Sequence, residues 1–307
     1  MTAAHAPSSR VQRDVGWYGR AVSFAPPEAR LATQLVRERM TRAERPRTPE
    51  PMVMDDEASV AAFHIAHPIY QLPVYRLNAE AMSRLLPEEG VVLDLGSGSG
   101  QLLAHLARAR PDVRAMGTDL AESMLETGRV LLREAGLADR VELVQADMTE
   151  LSTDISERVD LISTIWALHH LPTQEHLERC LAQIARVRDR TGCAVWIFDF
   201  ARLRRDATIH ALIDLAPDAP QRLQEDGFAS VRAAWSEAEL RAAMDGAGLS
   251  DLRGGRERIM GHVQAYHAEA RDAQPSGHAA RWTPSEVPRE SARLVRMLRV
   301  GLPSLPS

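Results

Sequence analysis

Several short stretches of this sequence carry residue types at spacings that could hold and work on a ligand. The first is Gly96-Ser97-Gly98-Ser99-Gly100, where missing Cβ atoms let the backbone turn sharply and lie against a ligand at a helix N-terminus. Asp119, closing GTD, can accept hydrogen bonds from two ribose hydroxyls, and Asp147, in QADM, or its neighbouring backbone can take the exocyclic amine of adenine. Met148 beside it offers a soft apolar face to a ring. Either aspartate alone reads better as the cap of the next helix; their common register with the glycine turn points to one nucleoside. His169 and His170 are adjacent imidazoles able to act as a base, or to fix their loop by bonding a backbone carbonyl. Asp199, in FDF, can orient such a histidine, touch substrate or cap.

These residues need a scaffold that gathers them, and the hydrophobic pattern supplies one. VVLDL (91–95), VRAMGTD (113–119), RVELVQAD (140–147), VDLISTIWA (159–167) and GCAVWIFDF (192–200) read as near-continuous apolar strands. Helical spacing separates them over 101–109, 121–136 and 173–188, and WSEAELRAAMDGAGL (235–249) opens with the capping box Ser236/Glu239. Two shorter strands are expected near 250–256 and 259–266. Buried strands alternating with helices require right-handed crossovers and a doubly wound parallel sheet, whose ligands sit beyond the carboxyl ends of the strands. Every residue of the first paragraph falls there.

VVLDLGSGSGQLLAHLA, GTDLAESML, VELVQADM and DLISTIWALHHLP together resemble the successive motifs of the class I S-adenosylmethionine-dependent methyltransferases, over roughly residues 88–200 and more loosely to 268. The resemblance implies an α/β fold: a doubly wound, mostly parallel seven-stranded sheet with its last strand antiparallel. It implies S-adenosyl-L-methionine as cofactor and methyl transfer as reaction. Carried over residue by residue, it puts Asp94, Gly96, Ser97, Gly98, Gly100, Asp119, Leu120, Met124, Asp147, Met148 and Trp166 around the cofactor, with Trp166 where the chain passes the methionine portion. His170, His169 and Asp199 are the catalytic candidates, since a hydroxyl or protonated amine acceptor needs a base for its proton.

Composition narrows the chemistry further. All 37 basic residues are Arg, so a Schiff-base lysine or a P-loop lysine is excluded. Cys180 and Cys193 are the only cysteines, too few for a four-thiolate zinc site, a three-cysteine iron–sulfur cluster or arsenic-type methylation. Single histidines at 64, 67, 262, 267 and 278 lack a carboxylate triad, and no metal is expected. Residues 1–49 hold nine Arg against four acids, while 50–268 is strongly acidic; with no Asn/Asp-Pro-Pro-Tyr/Phe motif, that speaks against nucleic acid as partner. A small-molecule acceptor is the leading expectation. A peptide or protein acceptor, an NAD(P)-dependent oxidoreductase and an inactive methyltransferase-like partner are the alternatives, although Gln101 spoils the dinucleotide fingerprint.

The expected organisation is a basic, flexible arm over 1–50 with a short helix near 27–42, a catalytic domain over 51–268, and a tail over 269–307. Within the domain, 67–86 reads as a cofactor cover, with Tyr70, Tyr75 and Arg76 as pocket residues, and 202–234 as a lid-like insertion. The N-terminus lacks the apolar middle of a secretion signal and no apolar run approaches bilayer length, so the chain is read as cytoplasmic with no membrane partner; an organelle transit peptide is the weaker alternative. Nothing in the sequence sets the oligomeric state.

Overall fold

A computed structural model describes residues 26–52, 71–152, 158–272 and 289–306. Its centre is a seven-stranded sheet of order β3-β2-β1-β4-β5-β7-β6. The strands are β1 (Val91–Leu95), β2 (Arg114–Asp119), β3 (Val141–Gln145), β4 (Leu161–Ile165), β5 (Ala194–Phe200), β6 (Arg253–Arg256) and β7 (Val263–Ala268). The first five pair in parallel and β7 runs antiparallel to both neighbours, as expected from the motifs. The reversal of strand order between β1 and β4 opens a crevice at their carboxyl ends.

The apolar runs become strands because helices cover both faces. Along β1 and β5 alternate residues, Val92, Trp196 and Phe198, face a core closed by α2 (Leu72–Leu85), α3 (Gln101–Ala109), α4 (Glu122–Glu134) and the carboxyl-terminal α9 (Arg289–Gly301). Their neighbours Leu93, Val195 and Ile197 face α5 (Gln174–Thr191) and α8 (Glu237–Gly246) on the other side. Local signals set the helix ends. Thr173 caps α5 and Gly192 closes it in the left-handed region at φ 71°, and both halves of the Ser236/Glu239 capping box are formed on α8.

Outside this frame lie α1 (Pro27–Met40), α6 (Asp206–Ile213) and α7 (Gln221–Ala233). Glu38 ties α1 to α6: its carboxylate accepts from the backbone amides of Arg204 and Arg205 and from Thr208 Oγ1, occupying the otherwise orphaned start of α6. No helix among the described residues is long and apolar enough to cross a membrane.

Candidate active site

The glycine bend is built by its neighbours. After β1 the chain turns at Gly96, φ 71°, where a Cβ would sit 2.3 Å from the Cβ of Ala167. The loop following β4 therefore demands glycine there. Ser97 N donates to Thr118 O at 2.8 Å, and Gly100 N closes the turn on Ser97 O at 3.0 Å. Gly98 N donates to Asp119 Oδ2 at 2.8 Å, and Asp119 Oδ1 accepts from Ala121 N at 2.9 Å. One carboxylate thus fixes the bend and the entry to α4, and each oxygen keeps acceptor capacity. No side chain caps α3, leaving its first amides available to a ligand.

The bend, both strand-end aspartates and the post-β4 loop line one cleft. Asp94, Gly96, Ser97, Gly98, Asp119, Leu120, Met124, Asp147, Met148, Trp166 and His170 line it. Gly100, His169 and Asp199 do not. Asp147 Oδ1 also caps the turn that follows, accepting from Thr149 N at 2.7 Å. Asp94 is buried and accepts from Ser163 Oγ at 2.6 Å. Burial pushes its carboxyl up to about 7, opposed by that hydrogen bond and reinforced by Asp119.

One end of the cleft is aromatic. Trp166 holds φ 53°, a left-handed conformation few non-glycine residues adopt, pinned by its amide donating to Phe198 O at 2.9 Å. Its ring stacks on Phe200, 5.6 Å between centroids and 12° between planes, and lies 5.9 Å from Tyr75. Tyr75 lines the cleft; Arg76 is not among the lining residues, and Tyr70 falls outside the described ones.

The two histidines, adjacent in one 3-10 turn (Leu168–His170), have different surroundings. His169 is buried with both ring nitrogens against carboxylates: Nδ1 is 2.6 Å from Asp199 Oδ1 and Nε2 is 3.2 Å from Glu50 Oε1. Its backbone amide donates to Asp199 Oδ2 at 2.9 Å. Burial works against protonation, yet Asp199 and Glu50 prevail and raise His169 to about 9. His170 is 22% exposed in its side chain and reaches the cleft wall. Burial and the neighbouring His169 charge lower its pKa, so it is neutral near pH 7.

Glu50 belongs to the 43–52 segment, which runs across the turn at 168–172. Arg47 anchors it, donating to the carbonyls of His169, Leu171, Pro172 and Ala233, with its guanidinium 3.9 Å over the Trp235 ring. Ser230 of α7 donates to Glu50 Oε1 at 3.3 Å, and Met52 lines the cleft. No residue of 202–234 is among those lining it; the insertion packs behind the site, with α7 against the Leu168–His170 turn and the Leu203, Ile209 and Val231 cluster against Phe200, and it bonds Glu50 and Arg47. Glu50, Arg47 and Met52 escaped the sequence reading: ERPRTPEP carries no periodicity, and its partners are mostly carbonyls more than a hundred residues away. Of the other histidines, His64, His67 and His278 lie outside the described residues.

Residues 92–192 match the family model described as a methyltransferase domain. A ubiquinone biosynthesis O-methyltransferase of Bordetella avium is 27% identical over 202 residues, covering 65% of this chain and 77% of that protein. A release factor glutamine methyltransferase of Neisseria gonorrhoeae is 30% identical over 149 residues, 48% of this chain and 49% of that one. Among solved structures, an S-adenosyl-L-methionine-dependent methyltransferase of Methanococcus maripaludis aligns with TM-score 0.54 at 19% identity, over 74% of this chain and 99% of the other.

Proposed function

We propose that this chain, a class I S-adenosylmethionine-dependent methyltransferase, methylates a small organic acceptor carrying an ionisable O–H or N–H. The observation that carries the reading is the lining of the cleft: a polar half at the ends of β1 to β3 and an aromatic half at the end of β4. A concave site with this mixed polar and apolar lining suits a cofactor and a small organic ligand.

The residues present fit the cofactor. Gly98 forms a cradle that a Cβ would fill, 3.1 Å from Met124 Cε, and Asp119 keeps acceptor capacity beside it. In this reading Asp119 holds the ribose hydroxyls, Leu120, Met124 and Met148 pack the adenine, and Asp147 or its neighbouring backbone takes the exocyclic amine. Gly96, Ser97, Gly100 and Asp94 shape the bend, while Trp166 and Tyr75 flank the methionine portion and the acceptor. When bound, S-adenosylmethionine supplies a sulfonium-activated methyl group.

The protein's share is alignment, exclusion of water and removal of one proton. Trp166, Tyr75, Met52 and Leu171 give the acceptor end apolar walls. His170 is neutral and at the wall, so its imidazole takes the acceptor's proton. His169, with both nitrogens engaged by carboxylates, and Asp199, which holds it, act in support rather than on substrate.

The relative from Bordetella avium, a ubiquinone biosynthesis O-methyltransferase, favours a small acceptor. The release factor glutamine methyltransferase favours a protein one, but the match covers only 49% of that protein. Incubating the purified chain with methyl-labelled cofactor and size-fractionated cell extract tests the choice. Label in the low-mass fraction is expected; label confined to protein or RNA contradicts the proposal.

A further inference from the structure

The segment before the matched methyltransferase domain does more than cover the site. We propose that Glu50 and the Pro51 carbonyl are positioning residues that fix His170 as the Nδ1–H tautomer, leaving the Nε2 lone pair as the proton acceptor. The inference rests on the reading of His170 as the base and adds what sets its state.

The hydrogen-bond count leads there. Two carboxylates, Asp199 and Glu50, face the two nitrogens of His169. A carboxylate only accepts, so both nitrogens carry hydrogen and His169 is an imidazolium between two anions. Its ring centroid lies 4.3 Å from that of His170, close enough for its charge to oppose a second protonation. A neutral His170 has one N–H. Its Nδ1 faces two acceptors, Pro51 O at 3.2 Å and Glu50 Oε1 at 3.3 Å, so the hydrogen sits on Nδ1. Nε2 then holds the lone pair, on a ring that lines the cleft. The groups around this pair are Glu50 and Pro51 from the crossing segment, Asp199 from β5, and the Arg47 guanidinium, which is bound to the His169 and Leu171 carbonyls.

The same atoms raise a competing occupant. One ligand atom each from Glu50, His169 and His170 lie within 4.8 Å of one another, a spacing open to a metal ion. The 3.2 Å separation of His170 Nδ1 from Pro51 O is that of an N–H···O bond, and metal binding at these atoms is read out by adding zinc ion.

Long-range nitrogen–proton NMR of histidine-labelled full chain reads both rings without any acceptor. Near neutral pH the wild type should show one doubly protonated imidazole, His169, and one neutral Nδ1–H imidazole, His170, assigned by His169→Gln and His170→Gln. Glu50→Gln should convert His169 to a neutral ring and leave His170 averaging over two tautomers, while Glu50→Asp should restore the wild-type pattern in part. Retained S-adenosylhomocysteine binding shows that each variant is folded; should Glu50→Gln not fold, Glu50→Asp at a reduced imidazolium population gives the same reading. An Nε2–H tautomer for His170 in the wild type, unchanged spectra in Glu50→Gln, or stoichiometric metal bound on addition of zinc ion alone would overturn the inference. Loss of the base role in a turnover assay, with the tautomer as stated, would instead strike the functional reading.

Discussion

The amide of Gly98 donates to Asp119 Oδ2 at 2.8 Å, so the turn after β1 and the tip of β2 are one unit. Removing that carboxylate therefore strips a ligand contact and loosens the bend together. Charge-assisted hydrogen bonds are worth about 1.5–3 kcal/mol, so Asp119→Ala should weaken S-adenosylhomocysteine binding by roughly 10- to 100-fold or more in calorimetry. Asp119→Asn, which can still accept from Gly98, should lose less.

Gly96 answers to packing rather than to the ligand. An alanine there combines φ 71° with a Cβ 2.3 Å from Ala167 Cβ. Overpacking of this kind costs about 1–3 kcal/mol, and the atoms that must yield belong to the loop carrying Trp166. Gly96→Ala should lower the thermal midpoint and also weaken cofactor binding, a pairing that a surface substitution would not give.

His170→Ala should keep cofactor affinity near wild type and cut turnover about 100-fold, the lower range for a lost general base. Turnover at wild-type rate with the native acceptor would remove His170 from the chemistry.

The paired carboxylates around His169 give a pH signature in stability. His169 is raised from 6.5 to about 9, so its contribution is complete below pH 6.5 and lost as pH rises through 9. Glu50 is lowered from 4.5, the hydrogen bond and charge of His169 outweighing burial, so its contribution holds above 4.5 and fades as pH falls through its native value. The difference in thermal midpoint between wild type and Glu50→Gln should be widest between pH 4.5 and 6.5 and should narrow toward pH 9.

How far the sequence could be read follows from the range of the interactions. The strands, the order of motifs and the cap at Ser236/Glu239 are local patterns, and the structure has them within a few residues of where periodicity put them. The glycine turn, Asp119 and Asp147 were legible because a doubly wound sheet places the carboxyl ends of its parallel strands on one side, and Asp94, Leu120 and Met124 followed from the resemblance of the motifs around them. His169 and His170 could not be told apart: their surroundings diverge only because neighbours in a 3-10 turn point in different directions, one toward Asp199 and the other toward the cleft. Arg47 and Glu50 were invisible for a different reason. Their pairings, from Glu50 with His169 to Arg47 with Ala233, span 119 to 186 residues, and an Arg- and Pro-rich segment gives no periodic sign that it will be packed. Trp166 gave no hint of its left-handed backbone, which tertiary contacts with Phe198 and Phe200 impose.

The most direct measurement is a crystal structure of the full chain with S-adenosylhomocysteine. The ribose hydroxyls are expected on Asp119, the adenine between Leu120 and Met148, and the sulfur facing the space bounded by Trp166 and His170. A nucleoside bound away from Asp119, or a sulfur turned from His170, would contradict this placement.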